Sequence, residues 1–164
     1  PDVIRVRDEL LPAGPREENI PRDLNDTAWF DRIDASGGAI FFAAGVFYYF
    51  LREQVRALVQ RMAAAFPGGV LVFDAANEKA VRLMLKTWIR DAKIKDVGAY
   101  FAVADAKAEL GPWDSRLQIS SRDYMLGYHD LKDPSVSGFF RFLARVGDRS
   151  MNMQIVRIGF GGEI

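Results

Sequence analysis

Cysteine is absent from the 164 residues, so the chain has neither a disulfide framework nor thiolate chemistry. Histidine occurs once, at His129, which rules out a His/Cys metal site and leaves only an all-oxygen ligand set, for which no spacing speaks. Net charge is also missing: Lys plus Arg and Asp plus Glu number 22 each. No global field therefore gathers polyanions, and no basic run alternates with aromatics, so nucleic acid is not an expected partner. No apolar run approaches the roughly 20 residues of a membrane-spanning helix. The amino terminus, PDVIRVRDELL, is charged and helical in pattern, unlike a secretory signal. Internal repeats, low-complexity tracts and linkers are lacking too. What remains is a chain the size of one domain, 49% hydrophobic and long enough to bury a substantial core, with a cytoplasmic location expected.

The most informative stretch is Gly37 to Phe50, GGAIFFAAGVFYYF, which carries no charge. Too short to cross a bilayer, it reads as a central strand over Ala39 to Ala43, buried on both faces as in a helix-covered parallel sheet. Gly45 and the residues after it would then lie at the carboxyl end of the strand, where such sheets bind ligands. A small residue there admits a ligand, and Tyr48 and Tyr49 offer flat faces with hydroxyl groups, although each is equally readable as a core or rim aromatic.

Around this stretch the pattern alternates between helix and strand. Val3, Val6, Leu10 and Leu11 recur at helical spacing; Asn19 to Arg22 reads as a short strand, and Asp26 as the cap of a helix carrying Trp29, Phe30 and Ile33. Val55, Leu58, Val59, Met62 and Phe66 form a clean amphipathic stripe, broken by Pro67-Gly68-Gly69. Val70 to Phe73 is a second buried strand, ending at Asp74. Asn77 caps a helix with Val81, Met84, Leu85, Trp88 and Ile89 inward. The pattern weakens from Lys93 to Ser121, with a short helix over Ala106 to Leu110. Tyr124 to His129 then reads as a strand, Asp133-Pro134 as the start of a helix with Val136, Phe139, Phe140, Leu143 and Val146 inward and a stop at Gly147, and Met151 to Ile158 as a last strand suited to a sheet edge or to one partly wet face. Right-handed crossovers and this rhythm predict a doubly wound α/β domain.

Three predicted strands end in candidate ligand groups: Asp23-Leu24, Ala44-Gly45 and Asp74. A carboxylate after such a strand can accept two hydrogen bonds at once, as a ribose or a base requires, although Asp23 is also an ordinary turn acid. His129 and Asp130 are adjacent and point apart on a strand, so no nucleophile-base pair is built there. Gly159-Phe160-Gly161-Gly162 lacks the following helix of a phosphate loop and reads as a tail.

Pro1-Asp2-Val3-Ile4, Asp23-Leu24 with Trp29, Phe42-Ala43-Ala44-Gly45-Val46 through Tyr49-Phe50, Glu53-Gln54-Val55 and Phe66-Pro67-Gly68-Gly69 before Val72-Phe73-Asp74-Ala75 resemble, in order and spacing, the leucine carboxyl methyltransferase family. The closer match is its bacterial branch of polyketide O-methyltransferase-like proteins. Trp113 and Tyr128-His129-Asp130 extend the likeness over nearly the whole chain. The resemblance implies a Rossmann-like class I methyltransferase fold, with a mainly parallel sheet, a final antiparallel strand, and S-adenosylmethionine across the carboxyl ends of the strands. It places Asp23 and Leu24 beside the adenine, Ala43, Ala44 and Gly45 near the methionine part, and Tyr49 toward the substrate pocket; Tyr48 and Asp74, read from their positions after strands, are expected to bind the small-molecule substrate with it. Ala44 departs from the glutamate usual in the family. The family's glycine-rich first turn and second-strand acid are expected upstream of Pro1, so residues 1–164 are read as the carboxyl-terminal portion of a single methyltransferase domain. Three functions follow as expectations: O-methylation of a carboxylate or hydroxyl by the intact protein; a nicotinamide-dependent oxidoreductase sharing the fold; and, for the 164 residues alone, an inactive piece that self-associates through an unpaired sheet edge.

Overall fold

The computed structural model describes residues 2–84, 86–87, 98–125 and 129–161. The chain divides into two compact units, Pro1–Gly37 and Gly38–Ile164.

In the first unit α1 spans Asp2–Leu10, with an Arg5 to Glu9 ion pair one turn apart. Residues 19–22 form no strand, because the sheet strands of the structure all lie in the second unit and an isolated extended segment has no ladder partner. Asp26 does act as a cap, accepting from the Ala28 N–H at 3.1 Å, but the element it starts is a 3₁₀ turn over Thr27–Arg32. The Trp29 indole donates to the Leu24 carbonyl at 3.3 Å and meets Phe30 edge-on.

The second unit holds a four-stranded sheet of β1 (Ile40–Ala43), β2 (Val70–Ala75), β3 (Leu117–Asp123) and β4 (Gln154–Phe160), in the order β1-β2-β4-β3. β1 and β2 are parallel, Ile40 beside Val70 and Ala43 beside Phe73, while β4 runs antiparallel to both its neighbours. Three strands thus share one direction and the last is reversed between β2 and β3, an α/β arrangement consistent with the expected Rossmann-like methyltransferase fold.

The helices form where the apolar spacing and caps put them. In α2 (Arg52–Ala65) Val55, Leu58, Val59 and Met62 are buried, and Gln54 accepts from the Leu51 N–H at 2.8 Å to close the first turn. Asn77 accepts from the Ala80 N–H at 3.0 Å and starts α3 (Glu78–Met84), whose Val81 is buried; Leu85, Trp88 and Ile89 lie outside the described residues. Asp105 caps α4 (Ala106–Leu110). No helix of the described residues is long and apolar enough to cross a membrane.

The core fills one face of the sheet. Leu71 and Phe73 of β2 and Val156, Ile158 and Phe160 of β4 share that face and are almost fully buried. Aromatic rings extend it, with Phe73 5.0 Å from Phe47 and 6.3 Å from Phe101, and Phe101 6.2 Å from Trp113.

Four elements of this unit differ from their sequence reading. Among the described residues β1 stands at the edge of the sheet, and it is not buried on both faces. Phe41 packs on Phe66 at 4.9 Å, whereas Ile40 and Phe42, on the other face, are 68% and 76% exposed. β4 is central with Ile155 and Arg157 half-buried on one face, the second of its two readings, and it runs on through Gly159 and Phe160, so the glycine-rich segment is sheet before it is tail; Gly68 N–H donates to the Phe160 carbonyl at 2.8 Å. Of the strand expected over Tyr124 to His129, Leu126, Gly127 and Tyr128 lie outside the described residues; the strand seen is β3, whose pairing ends at Asp123, after which Tyr124 and Met125 turn, and His129 opens a short 3₁₀ stretch, His129–Lys132. α5 (Gly138–Met151) starts not at Asp133 but at Ser137, whose hydroxyl accepts from the Phe140 N–H, while Asp133 closes a separate turn onto Ser135. α5 also passes through Gly147 and presents the opposite face: Ala144 and Asp148 are buried, and Phe139, Phe140, Leu143 and Val146 are exposed. The reason is polar, since the Asp148 carboxylate accepts the Met125 N–H at the end of the β3 turn.

Candidate functional site

The carboxyl ends of β1 and β2 lie side by side because the strands are parallel and in register. β1 leads into a turn at Ala44-Gly45, where Gly45 has φ +66° and an added Cβ would meet no atom within 4 Å. Only a residue tolerant of the left-handed region holds this turn without strain, and the space beside it is open. The Gly45 N–H donates to Oδ1 of Asp74 at 2.6 Å, so an acid near the end of β2 pins the turn that follows β1.

Tyr48 completes the cluster. It lies in the 3₁₀ turn Phe47–Tyr49, is buried, and lies close enough to Asp74 for the carboxylate to act on its phenol. Burial, and then the Asp74 carboxylate, push the Tyr48 phenol well above its ordinary range, so it remains a neutral donor. The ring rests among Ala76, Val81, Ala99, Ala102 and Met153, and its carbonyl accepts from Tyr100 N–H at 2.7 Å. Tyr49 is 45% exposed.

Val81, Ala99 and Ala102 also line an open groove of about 360 Å³, together with Arg52, Glu78, Arg82 and Tyr100. Both arginines are engaged: Arg52 bonds the Ala102 carbonyl at 3.2 Å, pairs with Glu109 at 2.9 Å and covers the Trp113 ring, and Arg82 pairs with Glu78 at 2.8 Å. Two backbone N–H groups and Arg52 hold the Glu109 carboxyl below its usual range against the opposing effect of burial.

Of the residues selected from sequence, Gly45 and Asp74 are hydrogen-bonded and Tyr48 lies beside Asp74; Ala43 and Ala44 lead into the same turn, and Tyr49 follows it. Asp23 and Leu24 lie in the first unit, where the Asp23 carboxylate accepts from the Asn25 N–H at 2.8 Å. The Arg52–Glu109–Trp113 arrangement and the buried Asp148 were not anticipated. Arg52 looked like solvated helix surface, and its partners lie 50 or more residues away. Asp148 sits one turn from the buried Ala144, a spacing masked by the richer apolar stripe beside it.

No family model and no curated protein matches this chain. Among solved structures, it is similar to a DUF574 family protein from Streptomyces avermitilis MA-4680, with a TM-score of 0.62 at 13% identity, over 97% of this chain and 62% of that one. It is also similar to an O-methyltransferase family protein from Burkholderia thailandensis, with a TM-score of 0.52 at 18% identity, over 99% of this chain and 41% of that one. The fold is therefore shared with these two structures, and the chain spans less than two thirds of the length of each.

Proposed function

We propose that the full-length protein is a cytoplasmic O-methyltransferase that uses S-adenosylmethionine and acts on a small molecule. The observation that carries the reading is the Gly45–Asp74–Tyr48 cluster at the adjoining carboxyl ends of two parallel strands, the place where folds of this kind bind ligands. The residues present fit the cofactor. A glycine turn with open space beside it admits a bulky ligand, and a carboxylate with neighbouring tyrosines suits a molecule bearing positive charge. Ala43, Ala44 and Gly45 would hold its methionine part. When bound, S-adenosylmethionine supplies a methyl group on a positively charged sulfur.

This chain's part is positioning, the main requirement for a displacement in line. Tyr48 keeps Asp74 oriented, and Tyr49 offers an exposed ring to the substrate. Between a carboxylate and a hydroxyl acceptor, Asp74 favours the hydroxyl, which donates a hydrogen bond to it; a second carboxylate would be repelled. Calorimetric titration of the full-length protein with S-adenosylhomocysteine and with NAD tests the reading: binding of the first supports it, and binding of NAD alone transfers the site to an oxidoreductase.

A further inference from the structure

Residues 100–105 form neither helix nor strand, yet Phe101 and Val103 are almost fully buried. A buried segment with no ladder of its own must find a partner for each backbone polar group, and here the partners are spread over the elements around Tyr48. The Tyr48 carbonyl accepts from Tyr100 N–H at 2.7 Å and from Phe101 N–H at 3.3 Å, and the Ala76 carbonyl, just past β2, accepts from Val103 N–H at 2.9 Å. The Gln154 amide donates to the Val103 and Ala104 carbonyls at 3.1 and 3.3 Å, and Glu109 accepts from the Ala104 and Asp105 N–H groups at 2.7 and 2.9 Å. The Ala102 carbonyl is taken by Arg52, at 3.2 Å.

Helix propensity does not account for Arg52. It stands at the first position of α2, where the helix dipole disfavours a cation. What it gains lies elsewhere: one guanidinium nitrogen reaches Ala102, another pairs with Glu109 at 2.9 Å, and the group lies 5.7 Å from the centre of the Trp113 ring. A planar fork braced by an acid and a ring fixes a carbonyl in direction, which a lysine on its flexible stem does not. Ala99 and Ala102 in turn pack against the buried cluster of Tyr48, Ala76 and Val81. All of these residues belong to the second unit.

Taking the Gly45–Asp74–Tyr48 cluster as the site, and so resting on the function proposed above, we propose that Arg52 is a positioning residue: braced by Glu109 and Trp113, it keeps residues 100–102 seated on the Tyr48 carbonyl and thereby fixes the Tyr48 ring beside Asp74. Asp74 of β2, Tyr124 from the turn after β3 and the neighbouring Tyr49 all act on the Tyr48 phenol, and burial acts on it most, so its titration reports how the ring is held.

In the full-length protein with tyrosines labelled at Cζ, the carbon signal of each phenol reports its ionisation. Tyr48 should stay un-ionised through about pH 11, above the ordinary tyrosine value of about 10. Arg52→Gln should let water reach the ring, bring the Tyr48 titration down into that range, and weaken S-adenosylhomocysteine binding several-fold in calorimetry. Glu109→Gln keeps an oxygen for Ala104 and Asp105 but loses the carboxylate that braces Arg52; it should do the same, and the double variant no more than either single one. Gln60→Ala is the structural control, since it removes another bond of α2, to the Trp113 carbonyl at 2.6 Å, and should leave the Tyr48 titration in place while lowering the unfolding midpoint. A Tyr48 titration unmoved by Arg52→Gln, additive effects of the two single variants, or an equal shift in Gln60→Ala would overturn the inference. The phenol titration involves no ligand, so S-adenosylhomocysteine that fails to bind the parent protein counts against the proposed function, while the titration still decides the role of Arg52.

Discussion

On one face of the sheet Leu71, Phe73, Val156, Ile158 and Phe160 are sealed among Phe47, Phe101 and the apolar side of α2; on the other, strands from the same ladder show Ile40 and Phe42 to water and carry Asp74 and Arg157 half-buried between them. The first face holds the fold together. The second leaves room for chemistry and contact at little cost to stability. Removal of a side chain should therefore have opposite consequences on the two faces, and that contrast can be tested in order of expected size.

The largest effect is expected at Phe73, 2% exposed and packed on Phe47 and Phe101. Phe73→Ala should cost about 3–5 kcal/mol in denaturant unfolding, a large part of the stability of a domain this size. Asp148→Ala comes next: it strips the Met125 N–H of its carboxylate, and a buried donor left unpaired costs about 1–3 kcal/mol. At Tyr48 the effect depends on pH. Its folded pKa is raised by burial first and by Asp74 second, so the stabilisation is fully present below the unfolded value of about 10 and is lost as pH climbs beyond it. Chemical denaturation measured from pH 8 upward should show this alkaline loss, and Tyr48→Phe should flatten it. The smallest effect is expected on the open face, where Phe42→Lys should change stability by less than about 0.5 kcal/mol. A stability loss at Phe42 comparable with that at Phe73 would erase the distinction between the faces.

The same division explains what could be read from the sequence. α2 and β2 were legible because their side chains meet one environment each, a regular stripe in Val55 to Phe66 and an apolar run in Val70 to Phe73. β1 was recognised as a strand and as a parallel partner of β2, but its apolar run concealed that one face lies open, since composition does not reveal what covers a strand. α5 misled for the opposite reason. Its most hydrophobic stripe, Phe139 to Val146, is outward, and the buried side is set by one carboxylate meeting one N–H, a contact between residues 23 positions apart that no periodicity records. Among the candidate site residues, Gly45, Tyr48 and Asp74 were marked singly by their positions after strands. Their nearness to one another depends on the parallel register, which only the fold supplies.

The reading of the open face as a methyltransferase site is tested most directly by a ligand titration followed residue by residue. In amide nuclear magnetic resonance spectra of the full-length protein, S-adenosylhomocysteine should shift the signals of Ala44, Gly45 and Asp74 and leave those of the polar β3 edge, Gln118 to Ser121, in place, with NAD producing no change. Saturable shifts at Gly45 and Asp74 from NAD, with none from S-adenosylhomocysteine, would contradict it.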